Sequence, residues 1–127
     1  VAAGWAAICS DHTPVGVDDK LLPFGEARPG ATGLEVLLPL TLKWAAAAGV
    51  SLPAALARIT SAPAEVLGLA SGQLAVGSVA DVCIFDPRAA WQLTPEALKS
   101  RGKNSPWLGY MMTGKVKATL VGGRVVF

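Results

Sequence analysis

Residues 6–15 read "AAICSDHTPV", a short apolar run that passes directly into a polar turn with the chain's single histidine. Such a run is typical of a buried parallel strand whose carboxyl end opens into a site loop. A carboxylate at that end, here Asp11, is held rigidly and can ligate a metal or act as a general base. Asp11 can equally serve to cap the loop, and the spacing of one Asp-His pair leaves both roles open.

Composition limits what surrounds this run. The chain has 127 residues, of which 52% are hydrophobic, and it begins with Val1 inside the apolar stretch. A strand of this kind needs neighbours on both faces, so we expect a fragment of a larger fold. No apolar run approaches the roughly 18 residues of a membrane span, so no membrane contact is expected. Two cysteines without the spacing of a zinc site indicate free thiols, which are the default of a cytoplasmic protein. The net charge of +2, with no Lys/Arg block, argues against a nucleic-acid partner.

Residues 12–33 form the next region, rich in glycine, proline and charge. They show no helical period, which indicates a long loop over the site. From Gly33 to Ala48 the leucine spacing predicts a helix that Pro39 bends and Gly49 ends. The two cysteines, Cys9 and Cys83, lack the close spacing of a zinc site and favour free buried thiols.

Two shorter helices and a small sheet complete the prediction. Ser51 and Ser61 are the expected N-caps of helices at "SLPAALARIT" and "SAPAEVLGL". After Gly72 the segments "GQLAVGSVADVCIFDP" and "GKVKATLVGGRVVF" have β character and are expected to pair in one sheet. Gly122-Gly123 is a two-residue hairpin signal. A short capped helix is predicted between the two segments, from Thr94 to Ser100.

The order of the motifs carries a family resemblance. In sequence they are "SDHTPVGVDDK", "PFGEARPGATGLE", "SAPAEVLGL", "GSVADVCIFD" and "GKNSPWLGYMMTGKVKATLVGG". Together they resemble the C-terminal third of a dihydroorotase of the amidohydrolase superfamily. The resemblance implies an α/β fold, with residues 1–69 as the C-terminal part of a (β/α)8 barrel and residues 70–127 as a small β-sandwich lobe. Ile8 to Asp11 would be the last barrel strand, followed by closing helices.

The same resemblance implies a chemistry. In active dihydroorotases the aspartate matching Asp11 ligates zinc and transfers the proton in the reversible closure of carbamoyl aspartate to dihydroorotate. A His-x-His pair and further residues complete that zinc site, and the zinc activates a water molecule. With one histidine, this chain offers only Asp11 as a metal ligand. We therefore expect an incomplete metal site, no cofactor in this chain and no activity from this chain alone.

Substrate contacts are implied at His12, at position 15, and at the backbone of Pro29 and Gly30, although the latter two could form a plain turn. The family motif reads Asp-His-Ala-Pro-His, and its last histidine helps to hold the substrate. Here that position is Val15, which can neither donate a hydrogen bond nor carry charge. Losing one such charge-assisted contact costs about 1.5 to 3 kcal/mol of binding free energy.

The change at Val15 resembles the dihydroorotase-like chains that have lost activity and serve as structural subunits of aspartate transcarbamoylase. A non-catalytic subunit of this kind is therefore the first hypothesis. An active zinc dihydroorotase that tolerates valine is the second, and another amidohydrolase or an independent β-rich module at residues 70–127 is the third. Uncovered apolar faces also predict that the chain associates with itself.

Overall fold

The computed structural model describes residues 6–127, and the chain has an α/β fold in which helices precede a small antiparallel sheet. None of the helices in this described part is long and apolar enough to cross a membrane. A short 3-10 turn at Asp18–Lys20 lies in the long loop. The main elements are α1 (Leu34–Ala48), α2 (Leu52–Ala57), α3 (Ser61–Val66), β1 (Val82–Gln92), β2 (Met111–Val121) and β3 (Arg124–Val125).

Helix α1 confirms the sequence prediction at both ends. It begins one residue after Gly33 and ends at Gly49, whose φ of 65° lies in the left-handed region that glycine adopts without strain. The N–H of Gly49 closes the helix on the carbonyl of Ala45. Pro39 is buried inside the helix, where its missing N–H removes one helical hydrogen bond. The bend expected there stays a prediction.

Of the two predicted helix N-caps, Ser51 is confirmed and Ser61 is wrong. Ser51 is the N-cap of α2, but its hydroxyl makes no capping hydrogen bond. Ser61 is the first helical residue of α3 rather than its cap, because the N-cap position is taken by Thr60. The Thr60 hydroxyl donates to the carbonyl of Leu56 at 2.7 Å, which holds this residue on the end of the preceding helix.

The predicted pairing of the two β segments is confirmed. Strands β1 and β2 are antiparallel from the pair Val82–Leu120 to the pair Gln92–Met111, and β3 folds back on β2 after Gly122-Gly123. Strand β1 continues past the Asp-Pro pair because the Asp86 carboxylate accepts the N–H groups of the next residues in a bulge. The described residues form this single sheet, so the two-layer sandwich stays a prediction.

The prediction of a helix from Thr94 to Ser100 is wrong. The chain makes one turn closed by bonds from Ala97 and Leu98 to Thr94, and no helix is formed. The N–H groups of Lys99 and Ser100 instead donate to the carboxylate of Glu35 in α1, at 2.9 and 2.7 Å. A tertiary acceptor has therefore replaced the carbonyls that a helix would supply.

The strand predicted at Ile8 to Asp11 is not a regular strand in the structure. A strand needs a neighbouring strand for its hydrogen bonds, and none of residues 6–127 pairs with this segment in that way. The N–H of Ile8 donates instead to the carbonyl of Arg58 at the end of α2, at 2.8 Å. The beginning of the apolar run, residues 1–5, lies outside the described residues.

A core of four buried side chains lies between α1 and the sheet. Val36 comes from α1, and Leu93, Leu98 and Met112 come from the β-rich region. Because the region up to residue 69 contributes α1 and the region after it contributes the sheet, both regions share this core. The division at residue 69 stays a prediction.

Candidate functional site

A cleft of about 540 Å³ lies between residues 8–15, here called the site loop, residues 30–33 and one face of α1. Of the predicted site residues, Asp11 and Gly30 line the cleft, whereas His12, Val15 and Pro29 do not. Its apolar wall consists of side chains from α1 and from the loop before β2: Val36, Leu37, Leu40, Trp44, Pro106 and Trp107. The cleft therefore sets one exposed carboxylate against an apolar surface.

Asp11 has an unusual backbone. Its φ is 46°, and among residues 6–127 it is the single non-glycine residue with a positive φ. Such a conformation costs about 1 to 3 kcal/mol and persists where the surrounding structure imposes it, often at functional sites. This observation is independent of the family resemblance and points to the same residue.

The described residues do not by themselves fit a zinc ion. Zinc takes about four protein or water ligands, with imidazole, thiolate or carboxylate as the usual donors. Within residues 6–127, no group of three or more histidine, cysteine, aspartate or glutamate side chains is placed to hold a metal. Asp11 therefore contributes a single carboxylate to the cleft.

His12 faces the amino end of α1. Its Nδ1 accepts the N–H groups of Gly33 and Leu34 at 3.1 and 3.3 Å. The N–H of the next residue, Thr13, donates to the carbonyl of Ala31 at 3.0 Å. Two consecutive residues of the site loop are thus bonded to the segment that leads into α1.

Val15 is buried, with 6% of its surface exposed. A Cβ atom added at Gly30 would lie 2.7 Å from the Val15 side chain, and one added at Gly102 would lie 2.9 Å from its backbone nitrogen. Val15 is therefore enclosed, since Gly30 lies against its side chain and Gly102 lies against its backbone. Its side chain fills this enclosure and is not part of the cleft lining.

Gly30 and Ala31 each carry a backbone N–H in the segment that lines the cleft. Neither N–H has an acceptor among residues 6–127, and both residues line the cleft. Adjacent free N–H groups can hold a carbonyl or carboxylate oxygen without any side chain. The arrangement could thus position an acidic or amide-containing ligand next to Asp11.

The loop before β2 fixes this donor segment, and sequence reasoning missed its role. The Asn104 amide donates to the carbonyl of Gly30 at 2.9 Å, and its backbone carbonyl accepts the N–H of Thr32 at 2.7 Å. The hydroxyl of Thr32, which is 1% exposed, donates to the carbonyl of Gly102 at 2.6 Å. The one available signal was the polar "GKNSP" stretch, whose residues have no role in a sheet or helix.

Glu35 makes the second connection between α1 and this loop. Besides the two N–H groups of Lys99 and Ser100, its carboxylate accepts the Ser100 hydroxyl at 3.0 Å. Partial burial raises the pKa of Glu35, but the hydrogen bonds from Ser100 and Lys99 outweigh it, and the pKa is lowered from its ordinary value of 4.5. The carboxylate is therefore ionised at neutral pH.

Replacing Thr32 with valine tests the first connection. We expect the free energy of unfolding to fall by about 1 to 2 kcal/mol, because the carbonyl of Gly102 loses its donor in a partly buried place. Urea unfolding of the intact protein measures the change. Thr32→Ser keeps the hydroxyl and should lose less than Thr32→Val, and a reversed order would contradict the hydrogen-bond explanation.

Comparison with known proteins shows the family. The model of the amidohydrolase family matches residues 1–127. A dihydroorotase from Trichlorobacter lovleyi is 43% identical over 120 residues, covering 94% of this chain and 28% of the relative. A dihydroorotase-like protein from Pseudomonas aeruginosa is 42% identical over 119 residues, with the same coverage of 94% and 28%. The chain thus spans 28% of the length of these curated relatives.

Solved structures agree on the fold. The dihydropyrimidinase from Brevibacillus agri matches with a TM-score of 0.87 at 24% identity. The match covers 95% of this chain and 28% of the dihydropyrimidinase chain. A D-hydantoinase from a Bacillus species has a TM-score of 0.85 at 26% identity, with the same coverage. The chain therefore belongs to the amidohydrolase family, and its sequence relatives include dihydroorotases and dihydroorotase-like proteins.

Proposed function

We propose that the protein containing this chain is a non-catalytic dihydroorotase-like subunit that supports the assembly of aspartate transcarbamoylase in the cytoplasm. The observation that carries the proposal is the burial of Val15, which stands where the resemblance places a substrate-holding histidine. The apolar side chain of Val15, buried against Gly30, provides no donor for a carboxylated substrate.

The enclosure of Val15 argues that the change is more than the loss of one contact. A histidine side chain is larger than valine, and the close approach of Gly30 to the buried Val15 side chain leaves little space for it. The surrounding backbone is thus adapted to the smaller apolar residue. In a scaffold subunit this packing stabilises the loop. Such a subunit does not bind substrate, so it does not need the substrate-holding histidine.

Two measurements test the proposal. The intact protein, purified alone and supplied with zinc, should hydrolyse dihydroorotate no faster than background at high enzyme concentration. Mixed with aspartate transcarbamoylase, it should sediment as a complex, and the transcarbamoylase should fail to assemble without it. Sedimentation of the subunit alone reports its expected self-association. Turnover above background by a folded sample, or no complex, would contradict the scaffold function.

A second candidate is an active zinc dihydroorotase that catalyses the reversible hydrolysis of dihydroorotate to N-carbamoyl-aspartate. The strained backbone of Asp11 and the two free donors at Gly30 and Ala31 favour it, since both features suit a substrate held beside a general base. Such an enzyme would need zinc, which residues 6–127 alone do not hold. Under this alternative the same assay shows turnover, and Asp11→Asn abolishes it while the protein stays folded.

A further inference from the structure

His12 occupies a place that the cleft chemistry does not explain. It adjoins Asp11 in sequence, yet it is not among the residues that line the cleft. Its Nδ1 accepts the N–H of Gly33, the N-cap residue of α1, and the N–H of Leu34, the first helical residue. The first N–H groups of a helix have no partner within the helix, so an outside acceptor at this point stabilises it.

The N-cap residue of α1 is Gly33, which explains why the acceptor for these N–H groups is the side chain of another residue, His12. An N-cap residue usually supplies a side-chain oxygen, and glycine has none. A Cβ atom at position 33 would overlap the carbonyl oxygen of Ser10, so a capping side chain has no space there. The same close approach of the site loop brings the His12 ring to the helix end. The loop therefore both excludes the ordinary cap and replaces it.

We infer that His12 is a positioning residue that caps α1 through Nδ1 and thereby fixes the strained backbone of Asp11. Asp11 lies directly before two consecutive anchored residues, because Thr13 is bonded to Ala31 and His12 to the start of α1. Because the two following residues are held in this way, the backbone at Asp11 adopts a φ of 46°. The inference concerns the geometry of the loop and is independent of whether the protein is an enzyme.

The hydrogen bonds also assign the tautomer of His12. A nitrogen that accepts two N–H groups carries no proton, so the neutral ring bears its hydrogen on Nε2. In this state Nδ1 is not available to ligate a metal, and Nε2 is a donor. His12 thus supports the site as a structural residue, whereas Asp11 is the group that lines the cleft.

A pair of variants in the intact protein separates the two ring nitrogens. The amide of asparagine can place an oxygen near the position of Nδ1, whereas the longer glutamine places its amide near that of Nε2. Hydrogen exchange of peptides covering the first turn of α1 is the readout. We expect His12→Gln to raise the exchange rate there about fivefold, the loss of one helix cap, and His12→Asn to stay near wild type.

Two further readouts test whether the cap sets the geometry of Asp11. Crystal structures should show Asp11 with a positive φ in His12→Asn and with a changed φ in His12→Gln, a difference that general destabilisation would not produce. Nitrogen NMR, with the His12 signal identified by its absence in His12→Asn, should show Nδ1 without a proton. The inference would be overturned if His12→Gln kept the exchange protection of α1 and His12→Asn lost it, or if the two variants exchanged equally. An unchanged φ of Asp11 in His12→Gln, or a proton on Nδ1, would also overturn it.

Discussion

Replacing Glu35 with alanine lowers the free energy of unfolding by about 2 to 3 kcal/mol at neutral pH. The carboxylate is the acceptor for two backbone N–H groups and one hydroxyl, all at Lys99 and Ser100, and alanine leaves these donors without it. Urea unfolding of the intact protein measures the loss. Glu35→Gln keeps one carbonyl oxygen but removes the charge, so its loss should lie between wild type and Glu35→Ala.

The effect of Glu35 should also depend on pH. Because the folded state lowers the pKa of this carboxyl from 4.5, its contribution to stability is fully present above that value. The contribution disappears as the pH falls through the lower pKa of the folded state. The stability difference between wild type and Glu35→Ala should therefore shrink as the pH is lowered below 4.5 and through the lowered pKa of the folded state. A constant difference over that range would show that the charge of Glu35 does not contribute.

Replacing Gly30 with alanine has an effect of similar size, about 3 kcal/mol. The φ of 132° is one that residues with a side chain rarely adopt, and the new methyl group would also overlap Val15 and Thr13. Backbone strain of about 1 to 3 kcal/mol and overpacking of a similar size both oppose the folded state. The loss is measured by urea unfolding, and the loop should become more sensitive to proteolysis.

Gly109 provides the matched control for this substitution. Its φ of 83° is also positive, but a Cβ atom added there meets nothing within 4 Å. Gly109→Ala should therefore show the backbone strain alone, about 1 to 2 kcal/mol. Equal losses at the two positions would mean that the contacts of Gly30 with Val15 and Thr13 do not contribute, and the enclosure of Val15 would have to be reconsidered.

The elements that depend on local patterns could be predicted from the sequence. The leucine period and Gly49 fixed the limits of α1, and Gly122-Gly123 marked the turn between β2 and β3. Asp11 could be selected as a site residue because a carboxylate after an apolar run has a local explanation. The structure adds its positive φ, which no sequence pattern indicated.

The remaining features depend on contacts between distant residues. Thr94 to Ser100 has the capping and composition of a helix, yet Glu35, more than 60 residues earlier, takes its N–H groups. The roles of Asn104 and Thr32 arise in the same way, since each hydrogen bond joins segments some 70 residues apart. Local propensity carries no information about such partners. Val15 could be recognised as a departure from the family motif, but its enclosure could not be foreseen.

The bonds that hold Gly30, Thr32 and Glu35 have a consequence for how the protein is made. Their partners lie at residues 99–104, so a growing chain that has reached only the end of α3 holds the donor segment through His12 and Thr13 alone and lacks these further bonds. Contacts between residues so far apart are formed late, because a long stretch of chain must first be ordered. During synthesis the donor segment therefore gains these bonds only after residues 99–104 have left the ribosome. Translation that stops before residue 104 leaves the segment without the bonds from Gly102 and Asn104.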